Sequence, residues 1–269
     1  MQTLQQALLE RIFDSGAEIA LAFQTLDRRY SLFINSQAVF HAASTMKLAV
    51  MMELFRQAHA QKLKLDDVIP IKNEFFSVVD QTSFSVSLET PEEIALANQA
   101  QATLYDLCHA MMTVSSNLAT NLLMAHIGVR NINLMLRLNG IAGMNVVRAL
   151  EDLKAFAKGM NNTTDANALV QQLIRLARHD FVSPDASKHM LDILKQQQFR
   201  DGIPAGLPAA MPVAHKTGEI TRHHHDAGIV YAPKPYVIVV LTRGFAHRTE
   251  SANFIAEISH MVYEMVQRE

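Results

Sequence analysis

Apolar positions change their period twice along this chain. Near the start, Leu4, Leu8 and Ile12, flanked by Leu9 and Phe13, recur at helical spacing. Glu18 to Phe23 (EIALAF) and Arg29 to Ile34 (RYSLFI) then read as strands, and polar Gln24 to Arg28 between them suits a hairpin turn. A third short strand is expected around Ala38-Val39-Phe40. It leads into a helix with one apolar face that starts at Ser44 and runs to about Gln61.

Helical spacing then takes over. Leu63 to Asp80 reads as an irregular connection, and Gln81 to Glu93, rich in Ser and Thr and containing Pro91, as a long loop or short hairpin. Helices are expected over Thr103–Val114, Leu118–Ile127, Val129–Leu138, Thr164–Arg178 and Pro184–Gln197, with Asn161 to Thr164 as the cap cluster of the fourth. After the Gly/Pro-rich link Gly202 to Pro208, strand patterning returns at Val213–Thr217, Ala227–Tyr231 and Tyr236–Thr242. A last helix spans Glu250 to Gln267, with Phe254, Ile258, Met261 and Met265 on one side.

Strands, a helical insert, then strands again predict an α+β fold. The first and last strands join in a mostly antiparallel five-stranded sheet flanked by N- and C-terminal helices, and an all-helical lobe is inserted. The expected division is residues 1–43 plus 205–269 for the sheet lobe and 44–204 for the helical lobe, forming one structural unit with a site in the cleft between them.

Composition narrows the classes without choosing one. The chain has 269 residues, 49% of them hydrophobic, enough for a sizeable core. With 24 basic and 26 acidic residues the formal charge is −2, which gives no reason to expect a nucleic-acid partner. The single cysteine, Cys108, excludes an intrachain disulfide and sits in an apolar helical run, where it reads as a small buried hydrophobe. No apolar run approaches the ~18 residues of a membrane span. The N-terminus lacks a basic start and an apolar secretory core, so the chain as given reads as cytoplasmic; the alternative is a periplasmic or secreted protein whose leader was removed.

Three short stretches carry candidate chemistry. In Ser44-Thr45-Met46-Lys47, a hydroxyl and an amine three residues apart share one helix face, and a buried amine with a lowered pKa can take a proton from Ser. Ser115-Ser116-Asn117 lies between two helices and offers a proton-relaying hydroxyl and a carbonyl-binding amide. His215-Lys216-Thr217-Gly218 lies on a strand and offers a cation and a hydroxyl for a carboxylate. Its Gly218 lets a substrate approach the backbone. His223-His224-His225 does not read as a metal site, because neighbouring residues point in different directions; the first two are expected on an exposed loop, with His225-Asp226 opening the next strand. Arg243 or Arg248 adds positive charge near the carboxylate pocket, and the sequence does not choose between them.

The three stretches in this order resemble the signature of class A β-lactamases and penicillin-binding proteins. The chain resembles the serine β-lactamase and penicillin-recognising superfamily, the class A-like hydrolases in particular, from about residue 18 to 265. The resemblance implies Ser44 as a nucleophile that forms an acyl-enzyme and Lys47 as its activator. Ser115 passes the proton to the leaving nitrogen, and Asn117 binds the substrate amide. Lys216 and Thr217 hold the substrate carboxylate beside Gly218. The backbone N–H groups of Ser44 and Glu219 form the oxyanion hole. Neither cofactor nor metal is implied. Glu151 lies at the family's usual distance after Ser115 and is the implied base for deacylation; read on its own, it is a solvated acid or a partner of Arg148.

The chain departs from the family pattern in places. Ser116 replaces the motif's middle Asp, whose role is mainly structural. Ala155 stands where an Asn is usual, and Asn162-Thr163-Thr164, which resembles the loop's closing Asp-Thr-Thr, comes early, so the loop is shorter. The implied substrate is a small-molecule β-lactam. The alternatives are a D-alanyl-D-alanine peptidase or an esterase of the same superfamily, acting on a peptide or ester, and a non-catalytic penicillin-binding relative.

Overall fold

The strand Tyr236–Arg243 is apolar on both sides because it is covered on both sides. Val237, Val239 and Leu241 enter one hydrophobic core, and Tyr236, Ile238 and Val240 enter another. This alternation organises the whole computed structural model, which describes residues 2–268. Met1 and Glu269 lie outside the described residues.

The chain opens with α1 (Gln2–Asp14), β1 (Glu18–Thr25), β2 (Ser31–Ile34) and β3 (Phe40–His41). A 3-10 turn over Ala43–Met46 leads into α2 (Lys47–His59). Short strands β4 (Val68–Pro70), β5 (Phe75–Phe76) and β6 (Ser83–Phe84) precede α3 (Pro91–Ala97) and β7 (Gln101–Thr103). The helices α4 (Leu104–Thr113), α5 (Asn117–Ile127), α6 (Val129–Leu138) and α7 (Leu153–Ala157) follow, then β8 (Thr163–Thr164), α8 (Ala166–Ala177) and α9 (Pro184–Leu194). A 3-10 turn at Ile203–Gly206 returns the chain to β9 (Val213–Ile220), β10 (His223–Val230), β11 (Tyr236–Arg243) and α10 (Arg248–Arg268).

The fold is α+β, as the patterning predicts. Its five-stranded antiparallel sheet has the order β2-β1-β11-β10-β9, so the first and last strands meet where Leu21 pairs with Val240. On one face Leu8 of α1 and Phe254, Ile258 and Val262 of α10 cover Ile19, Leu21 and Phe23. On the other face α8 packs over β1, β10 and β11, where Ala20 and Ala22 leave room for it. Among the described residues no helix is long and apolar enough to cross a membrane.

Several local expectations are corrected. The predicted third strand lies outside the large sheet: Phe40 and His41 pair with Thr164 and Thr163. That pairing takes Thr163 and Thr164 away from capping duty, and Asp165 caps α8 by accepting from Ala168 N. Pro91 opens α3 instead of sitting in a loop, with the Thr90 side chain capping Glu93 N. The helix α2 is buried all round, not on one face; every residue from Lys47 to Phe55 is buried, because helices pack around it. The three consecutive histidines all belong to β10, since a two-residue turn at Thr221-Arg222 starts the strand at once, with Arg222 at φ 61°. His224, expected to be exposed, is buried and bonded to Ser251 Oγ at 3.0 Å.

Candidate active site

Ser44 does not start the α-helix. It sits inside the 3-10 turn, and Lys47 is the first residue of α2. The turn exists because Ala43, immediately before Ser44, has φ 46°, a left-handed conformation that costs an alanine of order 1–3 kcal/mol. Several bonds hold it there: Ala43 N donates to His41 Nδ1 (3.0 Å), Ala42 N to Asn162 O (2.8 Å), and Thr45 Oγ1 to Ala42 O (2.6 Å). Ser115 (φ 60°) and Glu151 (φ 63°) are left-handed as well. Strain thus falls on three of the chemistry-bearing positions or their immediate neighbours.

The edge strand β9 closes on this turn. A Cβ built on Gly218 would lie 3.0 Å from Thr45 N and 3.1 Å from Ser44 N, so any side chain here would push the strand and the turn slightly apart. Lys216 and Thr217 on the same strand are buried.

Ser115 joins two lysines. Its hydroxyl accepts from Lys47 Nζ at 3.2 Å and from Lys216 Nζ at 3.0 Å. Lys47 Nζ also donates to Ser115 O (2.6 Å) and Asn117 Oδ1 (2.9 Å). The amine is therefore turned to Ser115 and Asn117, and among the described residues Ser44 Oγ has no hydrogen-bond partner. Burial, reinforced by the neighbouring Lys216 charge, holds the Lys47 pKa well below the usual lysine range against the opposing pull of Glu93 and Glu151. Burial also pushes Lys216 down to about 7, with Asp226 resisting.

Asn117 is the joint to the loop. Its Nδ2 donates to Glu151 Oε1 at 2.9 Å, and Glu151 Oε2 accepts from Ser87 N at 2.7 Å. Glu151 is not a partner of Arg148. That guanidinium points away, donating to Met160 O (2.8 Å), Ala149 O (3.1 Å) and Asn161 Oδ1 (3.3 Å). Asn162 closes the loop by accepting from Val147 N (2.8 Å) and Arg148 N (3.1 Å) and donating to Arg148 O (3.0 Å). Asn121 clamps its middle at Leu150 N and Leu150 O. Ala155 is buried in α7, and the Asp152 side chain caps its N–H.

One residue escaped the sequence reading. Glu93 is buried and accepts from Ser116 Oγ (2.9 Å), Asn117 N (2.5 Å) and Leu118 N (3.3 Å). A carboxylate thus reaches the start of α5 from α3, beside Ser116, where the family motif carries its own Asp. The signal was present: Thr90-Pro91-Glu92-Glu93 has the spacing of a capping box with proline at the first helical position. Of the two arginines left open, Arg248 is the one that lines the same cavity as Thr217, and it pairs with Glu219 and Asp201. Arg243 pairs with Glu18 on the other side.

Ser44, Asn117 and Glu219 line two adjoining cavities. One of about 850 Å³ includes Thr217, Gly218 and Arg248; the other, of about 620 Å³, includes Glu151, Arg148 and Leu153. Residues 3–266 match the beta-lactamase enzyme family. The chain belongs to that family. It is 25% identical over 285 residues to a beta-lactamase of Bacteroides uniformis, covering 98% of this chain and 93% of that protein. Its fold is that of a class A beta-lactamase from Bacteroides cellulosilyticus DSM 14838 (TM-score 0.86, 20% identity, 100% and 98% of the two chains). It is equally that of PBP-A, solved as a mutant in an acyl-enzyme complex with penicillin G (TM-score 0.85, 23% identity, 100% and 98%).

Proposed function

We propose that this member of the beta-lactamase family is a serine acyl-transfer hydrolase that opens β-lactam amides through an acyl-enzyme on Ser44. The observation that carries the reading is the Ser115 hydroxyl held between two buried lysines, in the cleft that also holds the unpartnered Ser44 hydroxyl. A lysine whose burial favours the neutral amine accepts the Ser44 proton as Oγ attacks the lactam carbonyl. The carbonyl oxygen becomes an oxyanion between the N–H groups of Ser44 and Glu219. As the C–N bond breaks, the proton passes through Ser115 to the leaving nitrogen. Asn117 receives the substrate's side-chain amide. Lys216 and Thr217, with Gly218 open beside them, receive the ring carboxylate. Glu151 then takes a proton from water as its oxygen attacks the ester carbonyl; the ester C–O bond breaks and that proton passes on to Ser44 Oγ, which leaves as the free hydroxyl.

A second reading has its own support. Glu151 is tied to Asn117 and Ser87 N, and Ala155 offers no side-chain amide to help it hold water. With slow deacylation the same site serves a D-alanyl-D-alanine peptidase or esterase that penicillin traps; a relative that binds penicillin without reacting is the remaining alternative. Mass spectrometry with benzylpenicillin, run beside a chromogenic cephalosporin, separates these. Fast colour without a lasting adduct is expected. A stable adduct without turnover supports the peptidase reading. Absence of both adduct and turnover, or an adduct or turnover that survives Ser44→Ala, removes Ser44 as nucleophile.

A further inference from the structure

The cavity of about 620 Å³ beside Ser44 has an unusual floor. His41 Nδ1 accepts the Ala43 N–H, so that nitrogen carries no proton. Burial and the nearby Arg148 charge push the ring down to about 4, so it is neutral at ordinary pH. The proton of a neutral imidazole must then sit on Nε2. That nitrogen lies 3.5 Å from Arg148 Nη2. Both are donors, so the contact is not a hydrogen bond. Two N–H groups converge here with no acceptor between them.

Nor does Arg148 have a counter-ion. It is 5% exposed, and three of its five N–H groups reach neutral oxygens. Among the described residues no carboxylate forms an ion pair with it. The nearest-acting one, Asp152, is spent on Ser77 Oγ, Val78 N and Ala155 N. The other charges on the cavity wall are committed: Glu151 to Asn117 and Ser87 N, Glu219 to Arg248, and Arg243 to Glu18. The rim is apolar, with Val39, Leu153 and Phe156 exposed by 62%, 74% and 50%.

We propose that this cavity is a second anion site, which receives a substrate acyl side chain of apolar body bearing a carboxylate, held between His41 Nε2–H and the Arg148 guanidinium. The proposal rests on the reading of Ser44 as the acylated residue. A carboxylate supplies the acceptor that both N–H groups lack and the charge that Arg148, itself only 5% exposed, lacks. The preferred substrates therefore carry two carboxylates, one for Lys216 and Thr217 and one for Arg148. His41 connects the second to the first, because the same ring holds the Ala43 N–H that shapes the Ser44 turn.

Acylation of Ser44 is measured by mass spectrometry with two matched pairs of penicillins. Benzylpenicillin is compared with its α-carboxylated analogue, and 4-carboxybutanoyl penicillin with its side-chain methyl ester, so that both short and long reach are sampled. The carboxylated member of at least one pair is expected to acylate roughly ten- to hundredfold faster per unit concentration, the range of a charge-assisted bond. Arg148→Met lowers that ratio at least tenfold, and Arg148→Lys restores part of it. A merely structural role for Arg148 moves both members together and leaves the ratio unchanged, which overturns the proposal. The wild-type ratio decides even if Arg148→Met does not fold: equal labelling within both pairs overturns the second site alone. Failure of all four compounds both to label Ser44 under rapid quench and to be hydrolysed overturns the acyl-enzyme reading as well.

Discussion

The two sides of Ser44 are built differently. On the side of Lys47, Ser115 and Lys216, each group comes from a helix, an inter-helix turn or a sheet strand, and the amines and hydroxyl bond to one another. On the side of Glu151, the backbone from Val147 to Asn162 is irregular apart from the short α7. It is held by side-chain amides: Asn162 at its closure and Asn121 at its centre. The first side is therefore stiff, because every displacement disturbs packed elements. The second depends on a few hydrogen bonds, each of order 1 kcal/mol net. In the proposed mechanism the first side forms the acyl-enzyme and the second releases it. Release is accordingly the step most open to loss or change.

The sharpest test is Glu151→Gln. Proton transfer by a positioned carboxylate contributes about 10²- to 10⁴-fold. Deacylation is expected to slow by that range while acylation changes far less, so adduct builds up in a stopped-flow and mass time course. Parallel losses in both steps would break the division of labour between the two sides.

Next in size is Glu93→Ala. It leaves Asn117 N, Leu118 N and Ser116 Oγ without their acceptor, at about 1–3 kcal/mol for each buried group left unsatisfied. Acylation should fall roughly ten- to hundredfold, because Asn117 and Ser115 lose their support. Adding Ser116→Asp, which restores a carboxylate at the start of α5, should recover part of the loss. No recovery would deny that Glu93 stands in for the motif's acid.

A pH series probes the first side alone. With Lys216 at about 7, its charge in the free protein is lost as pH rises through that value. For substrates with a ring carboxylate, kcat/KM should fall by up to about fiftyfold between pH 7 and 9, with kcat holding because the bound carboxylate keeps the proton in place. Stability runs the other way. The unfolded lysine titrates near its ordinary 10.5, so between about 7 and 10.5 the unfolded chain binds more protons and stability rises with pH. Lys216→Arg, which cannot deprotonate, should move the kinetic break upward.

The smallest expected effect is that of Asn162→Ala on the second side. Val147 N and Arg148 N lose their acceptor. Deacylation should drop severalfold before acylation does, with a melting loss of about 1–3 kcal/mol, read by calorimetry beside single-turnover kinetics.

The elements that the sequence foretold are those with a repeating local pattern. Helices α4, α5, α6, α8 and α9 fall where apolar spacing predicts them, and β11 declares itself by a continuous apolar run. The short pieces did not show. The helix α7 has five residues, and β8 has two, too few for a period to appear. The helix α3 did not show because its Pro91, which stands at a first-turn position, equally suits the loop expected over Gln81 to Glu93.

For the candidate site, the sequence by itself named the candidates: Ser44, Lys47, Ser115, Asn117, Glu151, Lys216, Thr217, Gly218 and Glu219, in an order that pointed to the family. Only the tertiary structure decided how they are joined. It turned Lys47 toward Ser115 and Asn117, brought Glu93 from a distant helix to the start of α5, and set His41 Nε2 against Arg148. The physical reason is that a side chain's partner depends on packing between segments far apart in the chain. Buried ionisable groups such as Lys47 and Arg148 take their character from that surrounding shell, to which local spacing is blind.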